Sequence, residues 1–270
     1  MKIILLCGNQ PNQVALANKI AARFNLSAIV VEKPSVKNKK LSFSKIVNAF
    51  LNRTLFKMLH HGWFGMLNYY KKKYAAFPEE EKLDVENINA DETVEFIKKI
   101  KPDLLMISGT RMIKKKILEL NIPKGIINLH TGLSPYIKGG PNCTNWCIAE
   151  NKFYLIGNTV MWIDAGIDSG DILTTQLTPL TGDENFIELH VKVMEHAHEL
   201  YLSALQKINV DENNCPRVKQ SSVATGVTYY NRMWNYKVKK NLLKNFKQMK
   251  MYFSSGRYKN ESKEVITVSL

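Results

Sequence analysis

The chain reads Asn128-Leu129-His130-Thr131-Gly132-Leu133-Ser134-Pro135-Tyr136-Ile137-Lys138-Gly139-Gly140-Pro141 directly after the apolar run Gly125-Ile126-Ile127. The apolar run predicts a buried strand. Because side chains alternate along a strand, Asn128 and His130 should point to the same face. Glycines and prolines end the regular structure immediately afterwards, so we expect both polar side chains at a strand end, where open α/β sheets bind ligands.

A second glycine-bracketed loop follows the apolar run from Leu155 to Ile163, and it contains Asp168. From a neighbouring strand end, this carboxylate can approach Asn128 and His130. The three groups suit acyl transfer, with the amide stabilising an oxyanion, the imidazole moving a proton and the carboxylate orienting the imidazole. Each residue alone also fits a structural role, as a turn cap, a core histidine or a turn residue.

The motifs together resemble the core of the folate-dependent formyltransferases, a superfamily that includes glycinamide ribonucleotide, methionyl-tRNA and bacterial sugar formyltransferases. The resemblance covers residues 103–173. Its motifs are Asn128-x-His130, the turn Leu133-Ser134-Pro135-x-x-Lys138-Gly139-Gly140-Pro141, Trp146 in the next helix, and Asp164-x-Gly166-x-Asp168-Ser169-Gly170-Asp171-Ile172-Leu173.

This resemblance implies transfer of a formyl group from 10-formyltetrahydrofolate to a primary amine, with Asn128, His130 and Asp168 as the catalytic residues and no metal. It also implies that two loops hold the pterin, the first mainly through backbone hydrogen bonds. The predicted folate-binding residues are Ser108, Gly109, Thr110, Arg111, Met112, Ile113, Asp164 and Gly166.

The loop after the first predicted strand reads Gly8-Asn9-Gln10 and has a single glycine, which argues against a nicotinamide dinucleotide. In the family the corresponding loop meets the acceptor, so we predict that Gly8, Asn9 and Gln10 bind substrate together with Lys138 and Gly139. The triplet Tyr136-Ile137-Lys138 departs from the commoner family triplets, so acceptor recognition cannot be copied from relatives.

Alternating strand and helix patterns predict an α/β, Rossmann-like catalytic domain over residues 1–210, with a helical insertion at about 33–89 and a small basic C-terminal appendage at 211–270. The predicted strands are Lys2–Cys7, Ser27–Glu32, Asp103–Ser108 and Ile126–His130. The predicted helices are Asn12–Phe24 and Asp91–Ile100, the latter capped by Asp91.

Within the insertion, apolar positions from Phe43 to Leu59 follow helical spacing, and a second helix is predicted over Trp63–Tyr74. We expect this pair to pack over one sheet edge, although Trp63 and the neighbouring tyrosines could instead wall an acceptor pocket. His60 and His61 have no acidic neighbours for a metal site, so they are predicted to lie in an exposed loop.

The chain has 270 residues, 45% of them hydrophobic, and a formal net charge of +14. Its four cysteines lack metal-finger spacing; Cys143 and Cys147 should share one helix face as packing residues. Reduced cysteines favour the cytoplasm. The apolar start of the chain is too short for a signal peptide, and no stretch has the length of a membrane span.

Lysines and aromatic residues alternate in the C-terminal tail, which is compatible with RNA binding. We favour a helical appendage instead, with Leu242, Phe246, Met249 and Phe253 packed inward or against a second subunit of a homodimer. The residues after Val210 also lack the alternating strands of the barrel with which methionyl-tRNA formyltransferases grip tRNA.

The predicted acceptor is therefore a small amino sugar, nucleotide-linked, used in lipopolysaccharide or other glycan biosynthesis, and no nucleic-acid partner is expected. Its diphosphate would suit the positive field. The alternatives are a methionyl-tRNA formyltransferase-like or other amine formyltransferase, a silent binding module and, more remotely, a metal-dependent hydrolase using His130, Asp164, Asp168 and Asp171.

Overall fold

A seven-stranded sheet forms the centre of the computed structural model, which describes residues 1–34, 53–163 and 170–270. Its strand order is β3-β2-β1-β4-β5-β7-β8. The first five strands are parallel, and β7 pairs antiparallel with both β5 and β8. The short strands β6 and β9 pair separately, in parallel. The strands are β1 (Ile3–Gly8), β2 (Leu26–Glu32), β3 (Glu81–Val85), β4 (Leu104–Ser108), β5 (Ile126–His130), β6 (Ile137–Gly139), β7 (Gly157–Trp162), β8 (Ile172–Leu177) and β9 (Val227–Tyr229).

Helices cover both faces of the large sheet, which confirms the predicted α/β, Rossmann-like fold. They are α1 (Pro11–Ala21), α2 (Lys57–Lys73), α3 (Asp91–Ile100), α4 (Lys115–Leu118), α5 (Cys143–Ala149), α6 (Phe186–Asp211), α7 (Gln220–Val223), α8 (Tyr236–Phe246), α9 (Met249–Ser254) and α10 (Arg257–Ser262). No helix in the described ranges combines the length and apolar composition that crossing a bilayer requires.

The central strands are buried on both faces, which explains why they read as continuous apolar runs. Successive residues of β1 join different clusters: Leu5 packs with Leu16 of α1 and Leu200 of α6, whereas Leu6 packs with Ile97 of α3 on the opposite side. The two-residue repeat of the strand therefore places helices on both sheet faces.

Three local predictions for the region before β4 are wrong. Asp91 is the first residue of α3 instead of its cap, because Ala90 takes the N-cap position and the Asp91 carboxylate bonds the Lys116 ammonium. The helix predicted from Trp63 begins at Lys57, so His60 and His61 are exposed on α2 and do not lie in a loop.

Part of the insertion lies outside the described residues, including the predicted helical positions from Phe43 to Leu51. The described part of α2 packs on α1 and α6 through Met66 and Tyr70, and not over a sheet edge as predicted. The edge is occupied by β3, which the sequence did not predict because its side chains are mostly charged and exposed. A charged edge strand discourages pairing with other chains.

The C-terminal appendage packs tightly on the core. Leu242 and Met249 are buried, and Phe246 and Phe253 are half-buried, so the predicted inward packing is observed. The strand β9 was not predicted. Further on, Val268 lies along the outer edge of β8, where its carbonyl accepts the N–H of Thr175 at 2.9 Å.

One buried hydroxyl links α6 to two sheet strands. The Tyr201 oxygen lies 2.9 Å from the Ile127 carbonyl and 3.1 Å from the Ile107 carbonyl, and it accepts the Ile107 N–H at 2.9 Å. Burial raises the pKa of Tyr201 well above its usual value, so the donor proton is retained. The hydroxyl therefore joins β4 to β5 where their ladder ends at Ile107 and Asn128.

We expect Tyr201→Phe to lower the free energy of unfolding by about 1–3 kcal/mol, because it leaves buried backbone groups without their partner. Urea unfolding would measure this as a lower midpoint with an unchanged slope. Tyr236→Phe, the same change on an exposed ring, is the control. Equal midpoints for Tyr201→Phe and the parent chain would contradict the structural role of the hydroxyl.

Two buried histidines on α6 predict sensitivity to acid. Burial lowers the pKa of His190 to about 4 and that of His198 to about 3. Neither His198 nitrogen has a hydrogen-bond partner within the described part of the chain. Since the unfolded state binds protons first, at a pKa of about 6.5, stability falls as the pH drops below that value and continues to fall towards the folded pKa values.

The free energy of unfolding should fall by about 2 kcal/mol per histidine between about pH 7.5 and pH 5. His198→Leu should reduce this loss by one histidine's share, measured by urea unfolding at both pH values. His61→Leu, on the exposed face of α2, should leave the loss unchanged. An acid-induced loss that is the same in both variants would refute the assignment.

Candidate functional site

Three neighbouring strands have predicted site residues at their carboxyl ends, which lie side by side. Gly8, Ser108 and His130 are the last residues of β1, β4 and β5, which lie side by side and run parallel. The chain changes direction across the sheet between β1 and β4, and ligands of open α/β folds bind at such a switch point.

Asn128 and His130 are brought together as the sequence predicts. Both lie on β5, two residues apart, and therefore on the same strand face. Asn128 is half-buried and His130 is 9% exposed. An amide and an imidazole thus meet next to the open ends of the strands, in surroundings that strengthen electrostatic interactions.

The surroundings of His130 include a thiol that sequence reasoning assigned to packing alone. The Cys143 Sγ lies 3.5 Å from the His130 Nε2 and 3.4 Å from the Gly139 carbonyl oxygen. A Cβ atom on Gly132 would lie 2.4 Å from the same imidazole nitrogen, so only glycine fits there. Cys143 and Cys147 are buried on α5 as predicted, but no sequence signal places Cys143 beside His130.

The turn after His130 is fixed by a buried threonine of β7. The Thr159 hydroxyl donates to the Gly132 carbonyl at 2.7 Å and accepts the Ser134 N–H at 2.9 Å. The peptide bonds before Pro135 and Pro141 are cis. The two Thr159 bonds hold the turn that leads from β5 to β6, where Lys138 and Gly139 lie.

The C-terminal appendage holds β6 from the other side. Gly139 pairs with Tyr229 of β9, and the Tyr229 ring stacks on Trp146 with centroids 4.0 Å apart. The indole N–H of Trp146 donates to the Gly140 carbonyl at 3.2 Å. The predicted acceptor residues Lys138 and Gly139 are therefore positioned by β9, which lies about ninety positions later.

The first predicted folate loop begins at Ser108, which is buried, and turns at Gly109 with φ of 68°. Glu32, at the end of β2, accepts the Arg111 N–H at 2.8 Å and the Ile88 N–H at 3.0 Å. The Arg111 N–H is therefore already bonded within the protein, and the predicted backbone contacts of this loop to the pterin stay a prediction. Sequence reasoning missed this buried carboxylate.

Asn89 fixes the second half of the same loop. Its side chain donates to the Met112 carbonyl at 3.0 Å and accepts the Lys114 N–H at 2.7 Å. The intervening Ile113 is buried in the core, and Thr110 is half-buried. Glu32 and Asn89 thus act as two clamps on the loop through their bonds to its backbone. The sequence signal that could have indicated both clamps is an acid or amide at the end of a strand or before a helix.

A cavity of about 930 Å³ opens beside this loop. Its walls come from the loop, α4 and the segment after it, the start of β5, the end of β7 and one residue of the appendage. Its lining residues are Met112, Ile113, Lys114, Lys115, Leu118, Glu119, Leu120, Ile122, Gly125, Ile126, Trp162, Ile163 and Arg217. The volume and the largely apolar walls suit a planar organic ligand of moderate size.

The predicted acceptor loop after β1 lies beside the predicted folate loop after β4. A Cβ on Gly8 would lie 2.7 Å from the Gly109 carbonyl oxygen, so this glycine permits the close approach of the two loops. Asn9 and Gln10 are exposed, and the Gln10 carbonyl accepts the Gln13 N–H at 2.8 Å at the start of α1.

The predicted residues Asp164, Gly166 and Asp168 lie outside the described residues. Asp171 is half-buried after them, and its carbonyl accepts the Trp162 N–H at 2.9 Å. Over residues 1–34, 53–163 and 170–270, no three histidine, cysteine or acidic side chains converge as metal ligands would.

Comparisons with known proteins identify the family to which the chain belongs. The family model for formyl transferases matches residues 1–205. A methionyl-tRNA formyltransferase of Clostridium tetani is 29% identical over 215 residues, which are 78% of this chain and 60% of that protein. The chain thus spans less than two thirds of that relative's length.

Solved structures share the fold at low sequence identity. An N-formyltransferase from Helicobacter canadensis, in complex with folinic acid and dTDP-3-aminofucose, has a TM-score of 0.57 and 17% identity, covering 91% of this chain and 81% of that one. A sugar N-formyltransferase from a Shewanella species has a TM-score of 0.57 and 14% identity, with coverage of 91% and 87%. From the family match over its first 205 residues, the chain belongs to the formyl transferase family.

Proposed function

We propose that this protein transfers the formyl group of 10-formyltetrahydrofolate to the primary amine of a nucleotide-linked amino sugar. Asn128, His130 and Asp168 are the proposed catalytic residues. The observation that carries the proposal is the placement of Asn128 and His130 on one face of β5, beside the loop and cavity that form the proposed folate site.

The cavity supports the co-substrate assignment through its shape and chemistry. It begins at Met112 and Ile113, within the loop assigned to the pterin, and continues to Ile126, two residues before Asn128. A folate whose ring system enters the cavity can therefore hold its formyl group near the end of β5. The clamps from Glu32 and Asn89 keep the loop in place before the ligand binds, which lowers the entropic cost of binding.

In the proposed mechanism, the neutral acceptor amine attacks the formyl carbon and forms a tetrahedral oxyanion. The Asn128 amide and the protonated His130 donate hydrogen bonds to this oxyanion. The amine proton leaves through Asp168 or a water molecule, N10 of the folate gains a proton, and the bond between N10 and the formyl carbon breaks. The products are the formamide and tetrahydrofolate. No nucleophile from the protein and no metal is required.

The assignment of the acceptor is supported by β6, which the appendage holds in place and which forms one wall of the proposed site. β9 pairs with β6 and thereby fixes Lys138 at the proposed acceptor side of the site. A cationic, sterically defined wall suits a compact anionic acceptor such as a sugar diphosphate nucleotide. The Helicobacter canadensis neighbour, which was crystallised with a nucleotide-linked amino sugar, supports this class of acceptor.

A methionyl-tRNA acceptor is the second candidate, favoured by the name of the Clostridium tetani relative and by the basic surface of the appendage. Exposed lysines on and after α8 provide this surface: Lys237, Lys240, Lys244 and Lys247. Such a surface can attract phosphates without specific recognition. The two candidates differ in the salt dependence of acceptor binding.

We expect His130→Asn and Asn128→Ala each to lower turnover at least a hundredfold, because loss of one oxyanion donor costs about 3 kcal/mol. Turnover is measured at saturating 10-formyltetrahydrofolate and a surplus of acceptor, with circular dichroism to confirm folding. The matched controls are His61→Asn and Asn209→Ala, which make the same kinds of change at exposed positions.

Near-parental turnover of His130→Asn or Asn128→Ala would remove that residue from the mechanism.

Treatment with EDTA provides the test against a hydrolase using His130, Asp164, Asp168 and Asp171. Formyl transfer should be unaffected by the chelator, whereas loss of activity that a divalent ion restores would favour the metal-dependent alternative.

We expect a nucleotide-linked amino sugar to raise the melting temperature by about 5 to 10 °C at a hundredfold excess over its Kd, which corresponds to about 2.7 kcal/mol. The shift should persist at physiological salt because a small ligand makes few ionic contacts. Initiator tRNA should bind weakly, with an affinity that falls steeply as salt rises. The free sugar and the nucleotide alone are the controls.

Tight, salt-resistant binding of initiator methionyl-tRNA, combined with the absence of a shift by any amino-sugar nucleotide, would reverse the choice of acceptor. The formyl-transfer proposal would stand in that case, because both acceptors offer a primary amine.

A further inference from the structure

The cavity assigned to the folate is completed by a residue beyond the family-matched region. The match ends at residue 205, yet Arg217 of the appendage lines the cavity together with Trp162 and Gly125. The Arg217 guanidinium carbon lies 3.7 Å from the centroid of the Trp162 ring. The appendage therefore reaches the co-substrate side of the site as well as the acceptor side.

Backbone and side-chain bonds on both sides of Arg217 fix its position. The Trp162 indole N–H donates to the Pro216 carbonyl at 2.9 Å. Val218 and Ile172 exchange two backbone hydrogen bonds, of 2.8 and 3.0 Å. Because the backbone groups of Pro216 and Val218 are hydrogen-bonded, the Cα atom of Arg217 between them has a fixed position beside the cavity.

The chemistry of this corner suits a flat ring with acceptor atoms. A guanidinium that lies over an indole uses its face for the cation–π contact and keeps the N–H groups at its edge directed outward in its own plane. Apolar side chains, among them Leu120, Ile122 and Ile126, form much of the wall of the same cavity. A flat heterocycle with carbonyl and ring-nitrogen acceptors can pack on these side chains and accept hydrogen bonds from the guanidinium edge.

We propose that Arg217 is a folate-binding residue supplied by the C-terminal appendage, and that its guanidinium edge donates hydrogen bonds to the pterin ring of the co-substrate. This inference rests on the proposed function. The glutamate tail of the folate points away from Arg217, towards solvent. The affinity for folate thus depends on a segment outside the family-matched region.

The test is calorimetric titration with 5-formyltetrahydrofolate, a stable formylated folate. Arg217→Ala should weaken binding roughly tenfold or more, the range for losing a hydrogen bond from a charged group. Arg217→Lys should recover only part of the affinity, because lysine lacks the planar fork. Lys219→Ala is the matched control, since Lys219 is exposed in the same segment and does not line the cavity.

A second titration separates the pterin from the tail. The loss in Arg217→Ala should be the same for 5-formyltetrahydropteroate, which lacks the glutamate. A loss that disappears with this ligand would overturn the pterin contact, as would equal affinities of Arg217→Ala and the parent chain. If the parent chain bound neither folate, the proposed function itself would fail, and the inference with it.

Discussion

The hydroxyl of Tyr201 holds together the two strand ends on which the site depends. It bonds to the backbone of Ile107 and Ile127, which immediately precede Ser108 and Asn128. Ser108 begins the proposed folate loop, and Asn128 is the first residue of the proposed catalytic pair. Parallel strands that diverge at their ends leave backbone groups without ladder partners, and such groups must be satisfied when buried. The long helix α6 thus fixes the spacing between the proposed co-substrate loop and the proposed catalytic side chains.

Local patterns were sufficient to predict the central parallel strands, α1, α3 and the grouping of Asn128 with His130. These features depend on periodicity within a few residues and on the breaks that glycine and proline impose. The charged strand β3 has no such pattern, because an edge strand can carry polar side chains on both faces. The start of α2 at Lys57 was also missed, since apolar spacing alone does not fix where a helix begins.

The long-range contacts could not be predicted from single segments. Glu32 clamps the Arg111 backbone across 79 positions, and β9 joins β6 across about ninety. In neither case does the local sequence indicate which distant residue will be the partner. The contact between Cys143 and His130 could not be predicted either, because it depends on how the turn between them folds back. Sequence analysis therefore indicated which residues converge at a strand end, whereas the supporting contacts required the three-dimensional structure.

The contact of Val268 with the β8 edge has a consequence for protein synthesis. A chain that has emerged from the ribosome only as far as α6 already contains all seven strands of the large sheet, but the outer edge of β8 lacks its covering segment. Unpaired edges of this kind recruit other strands and promote aggregation. The segment around Val268 therefore protects the nascent enzyme, and until that segment has been synthesised the edge stays open to neighbouring chains.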